Sequence, residues 1–186
     1  TYIAAALASG SHAVSANKGP VVHHLETLLS LAEAHRVRYL HESAVMDGVP
    51  IFSCWRAGFL PGGAILRAFR GCLNSTTGVV LQGMEEGKTM EESLKVAQEA
   101  GIAEADPIGD LSGMDAAVKV VALARALEMH QAGASSAASR PNSAQPLRLT
   151  DVVVSGITHL TQEDVQRVTS RGNKLRLVAG AELVPP

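Results

Sequence analysis

The segment Gly101-Ile-Ala-Glu104-Ala-Asp106-Pro107-Ile-Gly-Asp110-Leu-Ser-Gly113-Met-Asp115-Ala-Ala-Val-Lys119 sets four carboxylates ahead of one lysine. On a helix, Asp115 and Lys119 share a face, their Cβ atoms roughly 5–6 Å apart. A lysine held beside carboxylates in a pocket exchanges a proton with a substrate oxygen, while the carboxylates bind a cationic amine. That chemistry suits a small amino acid carrying a reactive oxygen. A plainer reading competes: Ser112-x-x-Asp115 is also a capping box, and Asp115 with Lys119 an ordinary helix pair. Glu104, Asp106 and Asp110, gathered in one Pro- and Gly-containing loop, tilt the balance toward a site. Val118 and Val120 flank Lys119 and draw its ammonium toward a partly dry place.

Three further segments carry candidate groups. Ala16-Asn17-Lys18-Gly19-Pro20 reads as a turn between a strand and a helix, the place where open α/β sheets bind ligands. His41-Glu42-Ser43-Ala44-Val45-Met46-Asp47-Gly48-Val49-Pro50 reads as a loop. Its Glu42 with nearby main-chain oxygens suits a hard cation, and Asp47-Gly48 supplies a turn. Gly71-Cys-Leu-Asn74-Ser75-Thr76-Thr77-Gly78 joins a strand to a helix. Asn74 or Ser75 caps that helix, and the exposed donors at its start suit a carboxylate. The seven histidines are scattered and read as structural or surface residues. No GxSxG, HExxH, P-loop or GxGxxG is present.

The elements that must position these groups follow from periodicity. Helices are expected at 2–9, 22–35, 49–59, 74–84, 89–100, 114–129 and 161–170, with strands at 12–15, 37–41, 65–70, 152–154 and 175–178. Thr89-x-x-Glu92 and Thr161-x-x-Asp164 are capping boxes. The alternation predicts an α/β fold: residues 1–41 as the later part of a nucleotide-binding sheet, and 42–180 as a second domain of mixed sheet and helices. The small and polar run from His130 to Pro146 is read as a surface insertion without fixed structure. The chain reads as a piece of a longer protein. Of its 186 residues 46% are hydrophobic, 18% charged and 3% aromatic, with a net charge of −2. No basic field or stacking platform points to nucleic acid, and no apolar run is long enough for a membrane span. Cys54 and Cys72 are read as half-buried thiols of a reducing compartment; the expected location is the cytoplasm, or the plastid in a photosynthetic eukaryote.

Taken together, these segments resemble the homoserine dehydrogenase family in order and spacing. The resemblance rests on Ser15–Pro20, Glu42–Pro50, Arg70–Thr77, Ala97–Pro107, Asp110–Lys119 and Asp151–Ile157. It implies a Rossmann-like NAD(P)-binding part and a catalytic and dimerisation part. The activity implied is the NAD- or NADP-dependent interconversion of L-homoserine and L-aspartate 4-semialdehyde, in threonine, methionine and isoleucine biosynthesis. By the same resemblance Lys119 is the general acid, Glu104 and Asp115 bind substrate, and Thr76 and Asp110 add secondary contacts. Lys18, with Asn17 beside it, lies at the cofactor. Glu42 and the main-chain oxygens of Val45, Asp47 and Val49 match a sodium or potassium site. The family's glycine-rich phosphate loop would precede Thr1.

Two other readings differ in kind. An acylating semialdehyde dehydrogenase needs an activated cysteine, yet Cys54 falls in an apolar helix and Cys72 at a strand end. A non-catalytic assembly module would use a sheet of Ile65–Arg70 and Val152–Val154 as a homodimer interface.

Overall fold

The computed structural model describes residues 2–134 and 147–182, which divide into two compact units. Most of the run read as an insertion, 135–146, lies outside the described residues. Of the described residues, the first unit comprises 2–68, 118–134, 147–151 and 182, the second 69–117 and 152–181.

The first unit opens with helix α1 (Tyr2–Ala8), ended by Gly10 at φ 82°. Strand β1 (Ala13–Val14), helix α2 (Lys18–Ala34) and strand β2 (Tyr39–Leu40) form a β-α-β crossover. The two strands are parallel, with Ala13 opposite Tyr39 and Val14 opposite Leu40. Ala13 and Ser15 donate their N–H groups to the Arg38 and Leu40 carbonyls. Alternation sets the faces: Ala13 and Tyr39 are buried while Val14 and Leu40 are exposed. The buried Val21, Val22, Leu25, Leu28 and Ala32 of α2 recur at helical spacing.

Helix α2 begins four residues before the predicted start. Asn17 supplies the reason: its Oδ1 accepts the Gly19 N–H at 2.9 Å, so the helix is capped ahead of the Gly-Pro pair. Its far end is a Schellman turn. Val37 donates to the Ala32 carbonyl and Arg36 to that of Glu33, which puts Arg36 at φ 55°, where glycine is usual.

The loop expected at 41–50 contains a helical turn, α3 (Ser43–Met46). It ends at Asp47, whose φ of 48° makes this residue, rather than Gly48, the one with positive φ. The single helix predicted over 49–59 is three pieces. Helix α4 (Ile51–Cys54) widens to a π-helical turn at Trp55–Phe59, then tightens to a 3₁₀ turn at Leu60–Gly62. From Val118 onward the unit also carries most of helix α8 (Met114–Ala134), five residues longer than predicted.

The second unit is built on helix α5 (Ser75–Glu85) and helix α6 (Met90–Glu99). They pack closely because residue 83 is glycine: a Cβ there would collide with the Ser93 side chain. Val80, Leu81 and Met84 of α5 meet Ile157 and Val165, with Leu94, Leu111 and Leu177 around them. Helix α7 (Ile108–Leu111), the first turn of α8, and helix α9 (Gln162–Thr169) complete the helical part. Two of the three predicted capping boxes form, Thr89 with Glu92 and Thr161 with Asp164.

The strands of this unit differ from expectation. Strand β3 is Ala68–Gly71, shorter than the predicted 65–70 run, and pairs with β4, Ala179–Glu182. Neither Val152–Val154 nor Leu175–Val178 is a strand. Val153 is 97% exposed, whereas Gly180 lets β4 approach Phe69 and Arg70 too closely for any Cβ. The sheet postulated for a non-catalytic module, Ile65–Arg70 with Val152–Val154, is therefore not formed. Close approach, not β-branched composition, selects the partner strand.

Candidate functional site

In the second unit the acidic segment is organised by a buried amide. Asn74 is 6% exposed and caps α5, its Oδ1 accepting the Thr77 N–H at 2.8 Å. Its Nδ2 donates to Asp110 Oδ1 at 2.6 Å and to Asp115 Oδ2 at 3.0 Å. The orientation of the amide is fixed by chemistry: reversing it would face its oxygen to two carboxylates and its NH2 to an N–H. Two carboxylates from different helices, 36 and 41 residues away in sequence, thus converge on one NH2 group. The sequence offers Asn74 or Ser75 as the cap; the link from Asn74 to the two acids leaves no local signal.

The predicted Ser112–Asp115 capping box falls at the junction of α7 and α8. Ser112 terminates α7, and its hydroxyl donates to the Gly109 carbonyl at 3.3 Å. Gly113, at φ 83°, turns the chain into α8. This turn is braced from behind by residues 155–157. Ile157 donates its N–H to the Leu111 carbonyl at 2.8 Å, and a Cβ at Gly156 would run into the Leu111 and Ser112 backbone. Asn74 thus bonds Asp115, and residues 155–157 brace the turn that precedes it.

The remaining substrate candidates are arranged differently. Thr76 is buried, and its hydroxyl donates to the Ile102 carbonyl at 3.3 Å, which ties the first turn of α5 to the loop after α6. Glu104 is exposed on that loop, where its carbonyl accepts from the Gln98 amide at 3.1 Å. Asp106 is exposed too, and its Oδ1 accepts the Ile108 N–H at 3.1 Å.

In the first unit Lys119 is half-buried on α8, one helical turn after Asp115 along the same helix. Lys18 is half-buried and is the first residue of α2. The turn before it follows the carboxyl end of a parallel strand and opens a 17-residue helix, a geometry that suits a dinucleotide. Within that turn the Asn17 side chain is occupied as the cap, and its own N–H donates to Ser15 Oγ at 3.1 Å. The residues present fit a nicotinamide coenzyme as one wall of its site.

Glu42 lies in the loop before α4 and binds that helix's start. Oε1 accepts the N–H groups of Phe52 at 2.8 Å and Ser53 at 3.2 Å, and Oε2 accepts the Ser53 hydroxyl at 2.6 Å. Arg56 stands 3.5 Å from Oε2. Burial opposes the charge, but the Ser53 hydroxyl, the two N–H groups and Arg56 outweigh it and hold the carboxyl below its ordinary range. Beside it His41 is buried between the rings of Tyr39 and Phe52. Burial, then the Arg56 charge, lowers its pKa and keeps the imidazole neutral. Val45 is buried, while Asp47 and Val49 are exposed. Among the described residues no group of three or more His, Cys, Asp or Glu could hold a metal ion. Cys54 and Cys72 are both exposed, correcting the expectation of half-buried thiols.

A parallel β-α-β crossover in one unit, and capped helices presenting carboxylates in the other, define an α/β protein. The chain belongs to the homoserine dehydrogenase family, whose sequence profile matches residues 50–184. It is 36% identical over 181 residues to the homoserine dehydrogenase of Methanocaldococcus jannaschii, covering 96% of this chain and 48% of that protein. It is 32% identical over 176 residues to the NAD(+)-dependent homoserine dehydrogenase of Pseudomonas canavaninivorans, covering 95% and 45%. A homoserine dehydrogenase structure from Thiobacillus denitrificans superposes with TM-score 0.79 at 30% identity, over 98% of this chain and 39% of that one. A hyperthermophilic archaeal homoserine dehydrogenase in complex with NADPH gives TM-score 0.70 at 28% identity, over 97% and 48%. The chain thus spans a little under half the length of these curated relatives. No helix among the described residues is long and apolar enough to cross a membrane.

Proposed function

We infer that the protein interconverts L-homoserine and L-aspartate 4-semialdehyde with NAD or NADP. The observation that carries this reading is the convergence of Asp110 and Asp115 on Asn74, in the segment that leads into the helix of Lys119. The relatives' names agree, one specifying NAD(+) and one structure holding NADPH.

When bound, the nicotinamide coenzyme supplies the hydride for reduction and accepts it in oxidation. Lys119 Nζ gives a proton to the aldehyde oxygen in reduction and takes it from the hydroxyl in oxidation. Hydride and proton together convert the C=O into a CH–OH. Asp115 and Glu104 hold the substrate's ammonium and hydroxyl side, with Asp110 and Thr76 as secondary contacts. Lys18, at the start of α2 with Asn17 as its cap, would hold the coenzyme.

The reading extends to a monovalent cation, sodium or potassium, on Glu42 and the main-chain oxygens of Val45, Asp47 and Val49. The residues fit this ion in part. Both Glu42 oxygens already accept hydrogen bonds and Arg56 stands beside one, so an ion there shares the carboxylate with a guanidinium. Activity that is equal in sodium, potassium and a bulky organic cation would remove the ion from the reading. Assembly as a homodimer through the β3–β4 pair belongs to the same proposal, since among the described residues each of these strands has one edge without a strand partner.

The deciding experiment is Lys119→Ala in the full-length protein. Loss of the general acid lowers kcat by at least about 100-fold, with coenzyme affinity retained. Full turnover in that variant would defeat the assignment.

A further inference from the structure

We propose that Asn74 is a positioning residue for the reaction, converging Asp110 and Asp115 so that they receive the substrate's ammonium as one unit. This inference rests on the proposed function and deepens it. The observations are independent of the family's named activity: a buried amide, with its oxygen committed to the cap of α5 and both N–H groups available to the two carboxylates.

The chemistry follows from the inventory of the amide. Two carboxylates brought to the same place repel each other unless donors lie between them. The Asn74 NH2 has two N–H groups, one for each carboxylate, and adds no charge of its own. It therefore joins the two acids without placing a positive charge between them. A lysine or arginine in its place would cancel the charge an ammonium needs. Because Asn74 also begins α5, the carboxylates take their position from a helix rather than from their own loop. The cap and the clamp are separable, because serine and aspartate cap helices about as well as asparagine but lack the NH2.

The test uses Asn74→Ser and Asn74→Asp in the full-length protein, with Asn74→Ala, which also loses the cap, as the structural control. Thermal midpoint, coenzyme affinity without amino acid, and KM and kcat for L-homoserine are measured for each. We expect both capping variants to keep their coenzyme affinity, while the midpoint falls modestly in Asn74→Ser and further in Asn74→Asp, where three carboxylates meet. KM should rise about tenfold or more, since two hydrogen bonds to charged groups are lost, and by more than kcat falls. Asn74→Asp, which adds a third carboxylate, should show the larger rise. Asn74→Ser placed on Asp110→Asn should add less than half of its effect alone, because both changes break one interaction. Parent-like KM in both capping variants would overturn the proposal and leave Asn74 as a cap only. So would coenzyme affinity falling in step with the rise in KM. A parent protein that turns over no homoserine would defeat the proposed function itself, and that is seen before any variant is made.

Discussion

Replacing Gly156 with alanine tests whether the acidic turn is braced from behind, as its contacts imply. A Cβ at this position meets the Leu111 carbonyl oxygen and the Ser112 backbone, none of which is the movable end of a side chain. One of the two segments must retreat. Retreat stretches the 2.8 Å hydrogen bond from Ile157 to Leu111, and Ile157 is itself a buried member of the core with Val80, Leu81, Met84 and Val165. Overpacking costs about 1–3 kcal/mol, and the weakened hydrogen bond adds about 1 kcal/mol. The total of roughly 2–4 kcal/mol lowers the thermal midpoint by roughly 5–15 °C for a chain of this size. Because Leu111 ends α7 and Gly113 opens α8, the displacement reaches Asp110 and Asp115. The KM for L-homoserine is therefore expected to rise in step with the loss of stability. Gly109→Ala is the matched control. It lies in α7, a Cβ there meets nothing within 4 Å, and alanine is the better helix former. That variant should be neutral or more stable by up to about 1 kcal/mol. Differential scanning fluorimetry and steady-state kinetics on the pair decide the matter. If Gly156→Ala melts and binds substrate like the parent, the brace does not set the position of the acids.

Two further outcomes follow from the first unit. Glu42 has its pKa lowered from an ordinary 4.5, so its stabilising effect is complete above that value and is lost as pH falls through the lower folded value. Glu42→Gln should flatten the acid limb of stability in that window, measured by urea midpoints from about pH 6 to about pH 3; an unchanged limb would remove Glu42 from the account. Arg36 occupies a left-handed Schellman position that suits glycine, so Arg36→Gly is expected to stabilise by about 1 kcal/mol, and a destabilised variant would contradict this.

The parts of the fold legible in the sequence were those set by local chemistry. Thr89 and Thr161 cap their helices as their boxes predict, because donor and acceptor lie three residues apart. The strands of the second unit were misread for the opposite reason. Val152–Val154 has strand composition but no strand partner, whereas Ala-Gly-Ala-Glu at 179–182 pairs with β3 because Gly180 permits contact. The π-helical turn at Trp55–Phe59 also carries no periodic signature. At the site, the acids were recognisable by type and spacing. Their convergence was not, since Asn74 lies more than thirty residues from either carboxylate.

The two thiols have a practical consequence. Cys54 sits in α4 of the first unit and Cys72 follows β3 in the second, and both are open to solvent. Each compact unit of this chain therefore carries a native attachment point for a maleimide dye or spin label, neither of them among the residues assigned to the chemistry. Pulsed dipolar spectroscopy or energy transfer between labels on these two thiols can report the distance between them as coenzyme and amino acid are added. The same exposure recommends reductant in every buffer, since solvent-facing sulfurs can join neighbouring copies through intermolecular disulfides.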